Sequence, residues 1–522
     1  MQKPTQQAQW DCDLLIVGGG INGAGIARDA AGRGLRVILC EQHDLAQHTS
    51  SASTKLIHGG LRYLEYYEFR LVRNALHERE VLLRCAPHIM WPLRFVMPHG
   101  AGQRPAWMIR AGLFLYDHLA HRQFLPASKS MSLRTHVAGS ALKGSYRKGF
   151  EYSDGWVDDA RLVLLNALDA SERGASILTR TTCTQVRQDG QGWRATLDSD
   201  EYGRIDVNAR AIVNAAGPWA AQFAAAASGS ATSHGLRLVK GSHIIVPRLF
   251  DHGYAYVFQN PDKRIIFAMP YQDQFTLIGT TDQDYIGPPG AVSISADEVR
   301  YLCDIANRYF IKQISSNDVV WTYSGVRPLL ADRAQEASAV TRDYLLECDP
   351  NMPAFLNVWG GKITTYRKLA EQALSILLAR LGRTAPPWTA SLPLPGGDLR
   401  QAGMLAQSDD FAWFSQQFSA QHPWLPGKLA QRYARCYGSR ASGMLGAAQN
   451  LSALGEELAP GIYEREARYL VEVEWARSAE DILWRRTKCG LYCLPQHVAR
   501  LERWITDLTQ ARISGAGQGD LA

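Results

Sequence analysis

The sequence predicts an α/β dinucleotide-binding domain of the Rossmann type, an α+β domain built on antiparallel sheet, and an all-helical C-terminal domain. Three observations carry this: a strand–glycine–helix signature at 13–41, short β-branched and aromatic stretches between Lys240 and Thr281, and helical apolar spacing from Leu429 to Leu508. A chain of 522 residues also exceeds what one core fills, so two to four domains are expected.

The signature reads DLLIVGGGINGAGIARDAAGRGLRVILCE from Asp13 to Glu41. Leu14 to Val17 form an apolar run suited to a buried parallel strand. Gly18, Gly20 and Gly23 then spell GxGxxG. The first permits the tight turn, the second lets the backbone approach a pyrophosphate, and the third lets the helix close on the strand. The following helix offers its free N–H groups and positive end to the phosphates. Leu35 to Cys40 make a second strand, and Glu41 ends it where a carboxylate can accept both ribose hydroxyls, which disfavours a 2′-phosphorylated dinucleotide. This stretch alone leaves FAD and NAD both open.

Further along, 175–206 alternates like hairpin strands, and 211–217 is a strand ending in Ala-Ala-Gly, small enough to pass close to a cofactor. The proline-rich APPWTASLPLPGG at 385–397 reads as a linker. In the C-terminal part, Tyr469, Val473 and Ala476 share one helical face. The net charge of +6 is mild for this length and does not suggest nucleic acid. Nine scattered cysteines, only Cys489 and Cys493 close together, predict neither a disulfide framework nor a metal site, and reduced thiols fit a cytoplasmic setting. The N-terminus offers no secretory leader, because its first apolar run is already a strand. No run approaches the ~18–20 apolar residues of a membrane span.

From His43 comes HDLAQHTSSASTKLIHGGLRYL, a region of small hydroxyl residues leading into His58, two glycines, Arg62 and Tyr63. This order resembles the glycine/D-amino-acid oxidase superfamily and, within it, the aerobic FAD-dependent glycerol-3-phosphate dehydrogenases. The resemblance continues through GFEYSDGWVDDARL (149–162), IVNAAGPW (212–219), LVKGSHIIVPR (238–248), IGTTDQDY (278–285), VWTYSGVRPL (320–329), GGKITTYRKLAE (360–371) and RSAEDILWRRTK (477–488). It implies a composite FAD domain from 1–80, 150–235 and 325–385, a substrate domain from 81–149 and 236–324, a linker at 386–397 and a helical domain at 398–522. FAD contacts are implied for Gly18, Gly19, Gly20, Asn22, Gly23, Glu41, Thr49, Ser50, Ser51, Lys55, Val186, Gly217, Gly361, Lys362 and Thr364.

The implied reaction oxidises sn-glycerol 3-phosphate to dihydroxyacetone phosphate, with hydride leaving C2 for flavin N5. It asks for a phosphate clamp, a proton acceptor and positive charge beside the flavin. Arginine suits the clamp, because its planar fork meets phosphate bidentately. Arg327 and Arg62 are the candidates, with Arg342 a third, and Tyr63 and Thr280 could add hydrogen bonds. His58 is the candidate base and His243 the second choice. In another division of labour Arg327 stabilises the alkoxide and His58 only orients it. Lys362 follows two glycines that permit close approach to the ring, and is expected to face the substrate.

Family members pass electrons to ubiquinone or menaquinone, which predicts peripheral contact with lipid on the inner face of the cytoplasmic membrane. RPAWMIRAGLFLYDHLAHR (104–122) is too short and too charged to span, but can lie in an interface with Trp107 at headgroup depth. A second copy of the chain is a further candidate partner. The competing readings are an oxygen-dependent glycerol-3-phosphate oxidase, an amine oxidase of the same superfamily, a non-catalytic flavin-binding assembly module, and an NAD enzyme.

Overall fold

The computed structural model describes residues 8–516 apart from 101, 229–234, 261, 263 and 331–342. Two compact units result, residues 1–85 with 90–392, and residues 86–89 with 393–522. The first contains two large sheets.

One sheet follows from the opening signature. Strand β1 (Ala8–Val17) carries its buried run Leu14–Ile16 between two parallel neighbours, β2 (Val37–Cys40) and the strand Gly203–Asn214. Across the sheet the order is Tyr344–Cys348, Phe355–Gly360, Gly203–Asn214, β1, β2, Ser176–Leu178. Along this order the pairing of Tyr344–Cys348 with its neighbour is antiparallel and the rest are parallel, and Gly192–Ser199 pairs antiparallel with both Gly203–Asn214 and Thr181–Asp189. Helix α1 (Ile21–Gly32) packs down at Gly23, where an added Cβ would stand 1.9 Å from the Gly18 carbonyl oxygen. Leu15, Ile38, Leu197, Val207 and Ile212 fill part of the core beneath.

In the second sheet the order is Gln283–Asp284, Leu236–Pro247, Phe275–Gly279, Ile265–Tyr271, Ala255–Gln259, then β4 (Met90–His99), Lys148–Val157 and β3 (Leu56–Ile57). Its main path is antiparallel except where Ala255–Gln259 meets β4. Trp321–Leu330 pairs with Leu236–Pro247 along ten residues. Helix α2 (Phe69–Cys85) follows the turn after β3, and helix α3 (Ala106–His118) follows β4.

Several sequence boundaries fall inside elements. The break at 80/81 cuts α2, that at 149/150 cuts Lys148–Val157, and that at 324/325 cuts Trp321–Leu330. Apolar alternation marks a strand but not the sheet it joins, so Arg327 lies on the second sheet rather than the first. The proline-rich segment is not a free linker either. Trp388 packs on α1, donating from its indole to the Asp29 carbonyl at 3.3 Å, with the Arg173 guanidinium 4.2 Å from its ring centroid.

The second unit is helical apart from one short hairpin, Glu457–Ala459 with Ile462–Tyr463. Tyr433, Tyr437, Leu470, Ile482 and Leu501 centre its core. Arg432 donates to both Glu466 oxygens at 2.6 and 2.7 Å, beside the Tyr437 hydroxyl.

The glycine contact yields the first prediction. Gly23→Ala forces the α1 backbone away from β1, at a cost of about 1–3 kcal/mol, the usual range for overpacking. Urea unfolding of the cofactor-free protein should show the midpoint falling accordingly. An unchanged midpoint would mean that the helix does not need this approach.

Candidate active site

A cavity of about 490 Å³ opens where β1 ends, and residues from both sheets line it. At the β1 end Gly20 caps α1 with no side-chain hydrogen bond, and Gly20, Ile21 and Asn22 of this helix start line the cavity. Glu41 is 8% exposed and accepts from Gly19 N at 2.6 Å and His43 N at 2.9 Å. Burial pushes its carboxyl upward and the two N–H donors oppose this. Ser50 Oγ accepts from Ile21 N at 3.0 Å, and Thr49 Oγ1 donates to the Val326 carbonyl at 2.6 Å. Asn22 donates to the Gly360 carbonyl at 3.2 Å, while its own Oδ1 is buried with no hydrogen-bond partner among the described residues. The opposite wall is Gly217, Gly360 and Gly361, with φ of +56°, +73° and +107°. A left-handed backbone without side chains there permits a flat ring to lie close. A helix N-terminus for phosphate, a buried carboxylate for ribose, an unsatisfied acceptor and a glycine wall fit a flavin dinucleotide.

At the other end of the cavity His58, Tyr63, Arg327, Lys362 and Thr364 line the same space. His58 sits just past β3, and its backbone is clasped by Thr364, whose Oγ1 lies 3.3 Å from His58 N and 3.4 Å from its carbonyl. The next residue, Gly59, donates to the Tyr116 hydroxyl at 2.8 Å. Tyr116 donates in turn to Asp154 at 2.8 Å, and Asp154 pairs with Arg79 at 2.6 Å. This chain is buried, and burial together with Asp154 holds the Tyr116 phenol well above its ordinary range, so it stays a donor. The Lys362 ammonium stands 3.8 Å from the Tyr63 ring centroid. Arg327 pairs with Asp282 and donates to Thr280 Oγ1 at 3.1 Å.

The structure therefore brings together Gly18, Gly20, Asn22, Glu41, Thr49, Ser50, His58, Tyr63, Gly217, Arg327, Gly361, Lys362 and Thr364. Gly19, Gly23 and Thr280 stand behind the lining: Gly19 orients Glu41, Gly23 closes the helix, and Thr280 supports Arg327.

Four expected residues lie elsewhere. Arg62 points out of the cavity toward Tyr66, because a tight turn of about three residues per revolution puts positions 62 and 63 on different faces. Lys55 is 3% exposed and donates to Asp159 at 2.8 Å and to the Ser51 carbonyl at 3.1 Å, so it fixes the loop rather than the cofactor. Ser51 donates back to the His48 carbonyl at 3.3 Å. Val186 packs on the core of the first sheet, while Thr181–Thr184 of the same strand line the cavity. Arg342 lies outside the described residues. His243 is a correction of another kind. Its ring is fully buried, stacks on Tyr323 at 4.6 Å, and has Nε2 3.1 Å from Oγ1 of the lining residue Thr54, so it stands behind the cavity wall and does not line it.

Sequence reasoning passed over Asp282, Tyr116, Asp154, Trp219 and the run Thr181–Thr184. Asp282 stands two residues after Thr280 in an already quoted block, and its acid beside a clamp arginine was a usable signal. Nothing in the sequence ties Tyr116 to Gly59. Glu41, His43 and His48 place ligand-type atoms within 4.8 Å of one another, but the carboxylate already accepts two N–H groups and the imidazoles share a 3.0 Å hydrogen bond.

A nucleotide-shaped cavity between a parallel sheet and an antiparallel one, with a cationic far end, defines a flavoprotein oxidoreductase. The chain belongs to the FAD dependent oxidoreductase family, whose pattern matches residues 13–367, and it is an FAD-dependent enzyme. Residues 387–510 match the C-terminal domain of alpha-glycerophosphate oxidase. The chain is 52% identical to the glycerol-3-phosphate dehydrogenase of Pseudomonas aeruginosa, covering 94% of each. It is 50% identical to the D-erythritol 1-phosphate dehydrogenase of Brucella abortus, covering 95% of this chain and 97% of that one. Among solved structures it resembles the glycerol-3-phosphate dehydrogenase from Bacillus halodurans complexed with FAD, at a TM-score of 0.76 and 26% identity, covering 95% and 90% of the two chains.

His243 generates a pH prediction. Burial, then the charges of Arg327 and Lys55, hold its pKa well below 6.5. Below pH 6.5 the unfolded chain binds a proton at this site that the folded chain refuses, so stability is full above that pH and declines as pH falls toward the folded pKa. The slope for one group is about 1.4 kcal/mol per pH unit. Between pH 7.5 and 5.5 the wild type should lose about 1 kcal/mol more unfolding free energy than His243→Asn. Equal losses would show that the ring is charged in the folded state.

Proposed function

We propose that this chain oxidises sn-glycerol 3-phosphate to dihydroxyacetone phosphate and passes the electrons to a membrane quinone. The observation that carries the reading is the convergence of His58, Arg327 and Lys362 on one cavity with the flavin-binding residues. Both curated relatives are named for the oxidation of a polyol phosphate, and a phosphate asks for this cationic lining.

When bound, the flavin supplies a two-electron acceptor. His58 receives the proton of the C2 hydroxyl, its backbone pinned on one side by Thr364 and on the other through Gly59 by Tyr116. Arg327 grips the phosphate, its fork oriented by Asp282 and Thr280. Lys362, held over Tyr63, contributes positive charge where negative charge develops. The 50% identity to an erythritol phosphate enzyme, close to the 52% above, supports a second reading, in which the same groups act on a longer polyol phosphate.

For the acceptor, the outward face of α3 is informative. Ile109, Leu113 and Tyr116 pack inward, yet Trp107 is 71% and Phe114 57% exposed on the other side. Tyr67, in the turn before α2, and Phe69, the first residue of α2, extend this apolar surface, and Glu65 of the turn is joined to Arg104 by a 2.9 Å ion pair. No helix among the described residues is long and apolar enough to cross a membrane. A helix with two apolar faces and basic flanks suits the plane of a bilayer surface, here the cytoplasmic face, where a quinone is within reach.

The decisive experiment is anaerobic mixing with glycerol 3-phosphate while flavin absorbance is followed. Bleaching is expected, and a flavin left oxidised would overturn the assignment. D-erythritol phosphate offered in parallel decides between the two polyols by kcat/KM. His58→Ala should slow bleaching about 10²–10⁴-fold, the scale of a lost general base, and Arg327→Ala should raise KM while flavin stays bound. For the acceptor, a quinone analogue should reoxidise the flavin faster than oxygen does. Trp107→Ser with Phe114→Ser should lower sedimentation with neutral phosphatidylcholine vesicles several-fold, and undiminished sedimentation would move the membrane contact elsewhere.

A further inference from the structure

A second cavity, of about 1120 Å³, shares no residue with the flavin site. It lies between the outer face of α2, the loop after α3, and the first turn of the helix Tyr366–Arg380. Five arginine or lysine side chains and three histidines line it, against two carboxylates.

Both carboxylates are already committed. Glu78 takes the Arg367 fork at 2.6 and 2.8 Å. Asp117 accepts Ser128 N at 2.8 Å and Ser128 Oγ at 2.6 Å, and faces Arg122 at 3.4 Å. Of the other cations, Lys368 pairs with Glu371 at 3.3 Å. Arg70, Arg73 and His77 follow one another at three and four residues along a single exposed face of α2, and none forms an ion pair among the described residues. Like charges at such spacing repel on an isolated helix, so this face is more stable with an anion between the arginines than without one. The N-terminus of the helix Tyr366–Arg380 adds its positive end to the same space.

We propose that this cavity is a second anion site, separate from catalysis, which binds a phosphate group through Arg70 and Arg73. Paired guanidinium forks match phosphate oxygens better than they match a carboxylate or halide of lower charge. Phe69 lines the cavity and is also part of the outward apolar surface at 40% exposure. The anion therefore sits at the edge of a surface suited to acyl chains, and its source is either the headgroup of an anionic phospholipid or a free phosphate ester. The site does not depend on which polyol the enzyme oxidises.

The test uses the flavin-loaded enzyme and Arg70→Gln/Arg73→Gln, with flavin content and turnover with a soluble dye acceptor expected unchanged. Sedimentation is measured with phosphatidylcholine vesicles with and without phosphatidylglycerol, and thermal unfolding with and without inorganic phosphate. If the source is lipid, the wild type binds the anionic vesicles at least tenfold more tightly than neutral ones and the double variant loses that preference. If the source is soluble, phosphate raises the unfolding temperature of the wild type more than that of the variant, with no vesicle preference. A wild type and variant that behave alike in both assays overturn the site. Loss of binding to neutral vesicles by the Trp107 and Phe114 variant reports the apolar face alone, so the two ideas fail separately.

Discussion

One buried ion pair organises the loop on which the site depends. Asp159 is fully buried at the start of the helix Asp159–Glu172 and accepts from Lys55 Nζ at 2.8 Å, Ser53 Oγ at 2.7 Å and Ser53 N at 3.2 Å. Lys55 reaches it from a left-handed backbone, φ +59°. Removing either partner would strand a charge out of water, which is far costlier than the pair itself is stabilising. Between Thr49 and Lys55 the loop then touches everything that matters. Ser50 meets the first turn of α1, Thr49 meets Val326 of the second sheet, and Thr54 meets His243. Tyr323 donates to the Ser53 carbonyl at 3.0 Å. The loop is a rivet between the nucleotide sheet and the substrate sheet.

The far end of the cavity is assembled from segments remote in sequence. His58 and Thr364 are 306 positions apart, yet each fixes the other's place. Behind them the buried sequence Gly59, Tyr116, Asp154, Arg79 links the turn after β3 to α3, to the strand Lys148–Val157 and to α2. Asp154 accepts from both Tyr116 and Arg79, so the network favours one arrangement, and a loop made of two glycines keeps a defined position despite its intrinsic freedom.

This division explains what could be read in the sequence. The nucleotide end was legible because one short contiguous stretch carries the whole device, with the apolar strand, the glycine spacing and the terminal acid at fixed distances. Arg327 and Lys362 were legible because each lies beside residues whose types have no other use. Arg62 misled because its block is apolar and glycine-flanked, yet which of two adjacent residues faces the cavity is decided by the pitch of the turn. His243 misled because a histidine in a strand reads the same whether it faces a ligand or a tyrosine. Lys55 looked like a cofactor contact since its neighbours Ser53, Thr54 and Leu56 line the cavity. Its partner, 104 positions away, could not be inferred from local pattern.

α3 completes the physical logic, because it is constrained on one side and not on the other. Inward, Tyr116 belongs to the network that positions Gly59, and Asp117 holds the loop at Ser128. Outward, Trp107 and Phe114 stay largely exposed although Phe114 touches the His118 ring at 4.1 Å, which is unusual for such large apolar side chains. A free helix of this composition would not keep an apolar face in water. This one does because its inner face is tied to a buried ionic network that cannot relax without unpairing Asp154. The cost of the exposed face is thus offset by contacts that also set the catalytic turn. The placement of the outer face relative to the cavity is consequently fixed by the fold itself, as the proposed transfer of electrons to an acceptor dissolved in lipid requires.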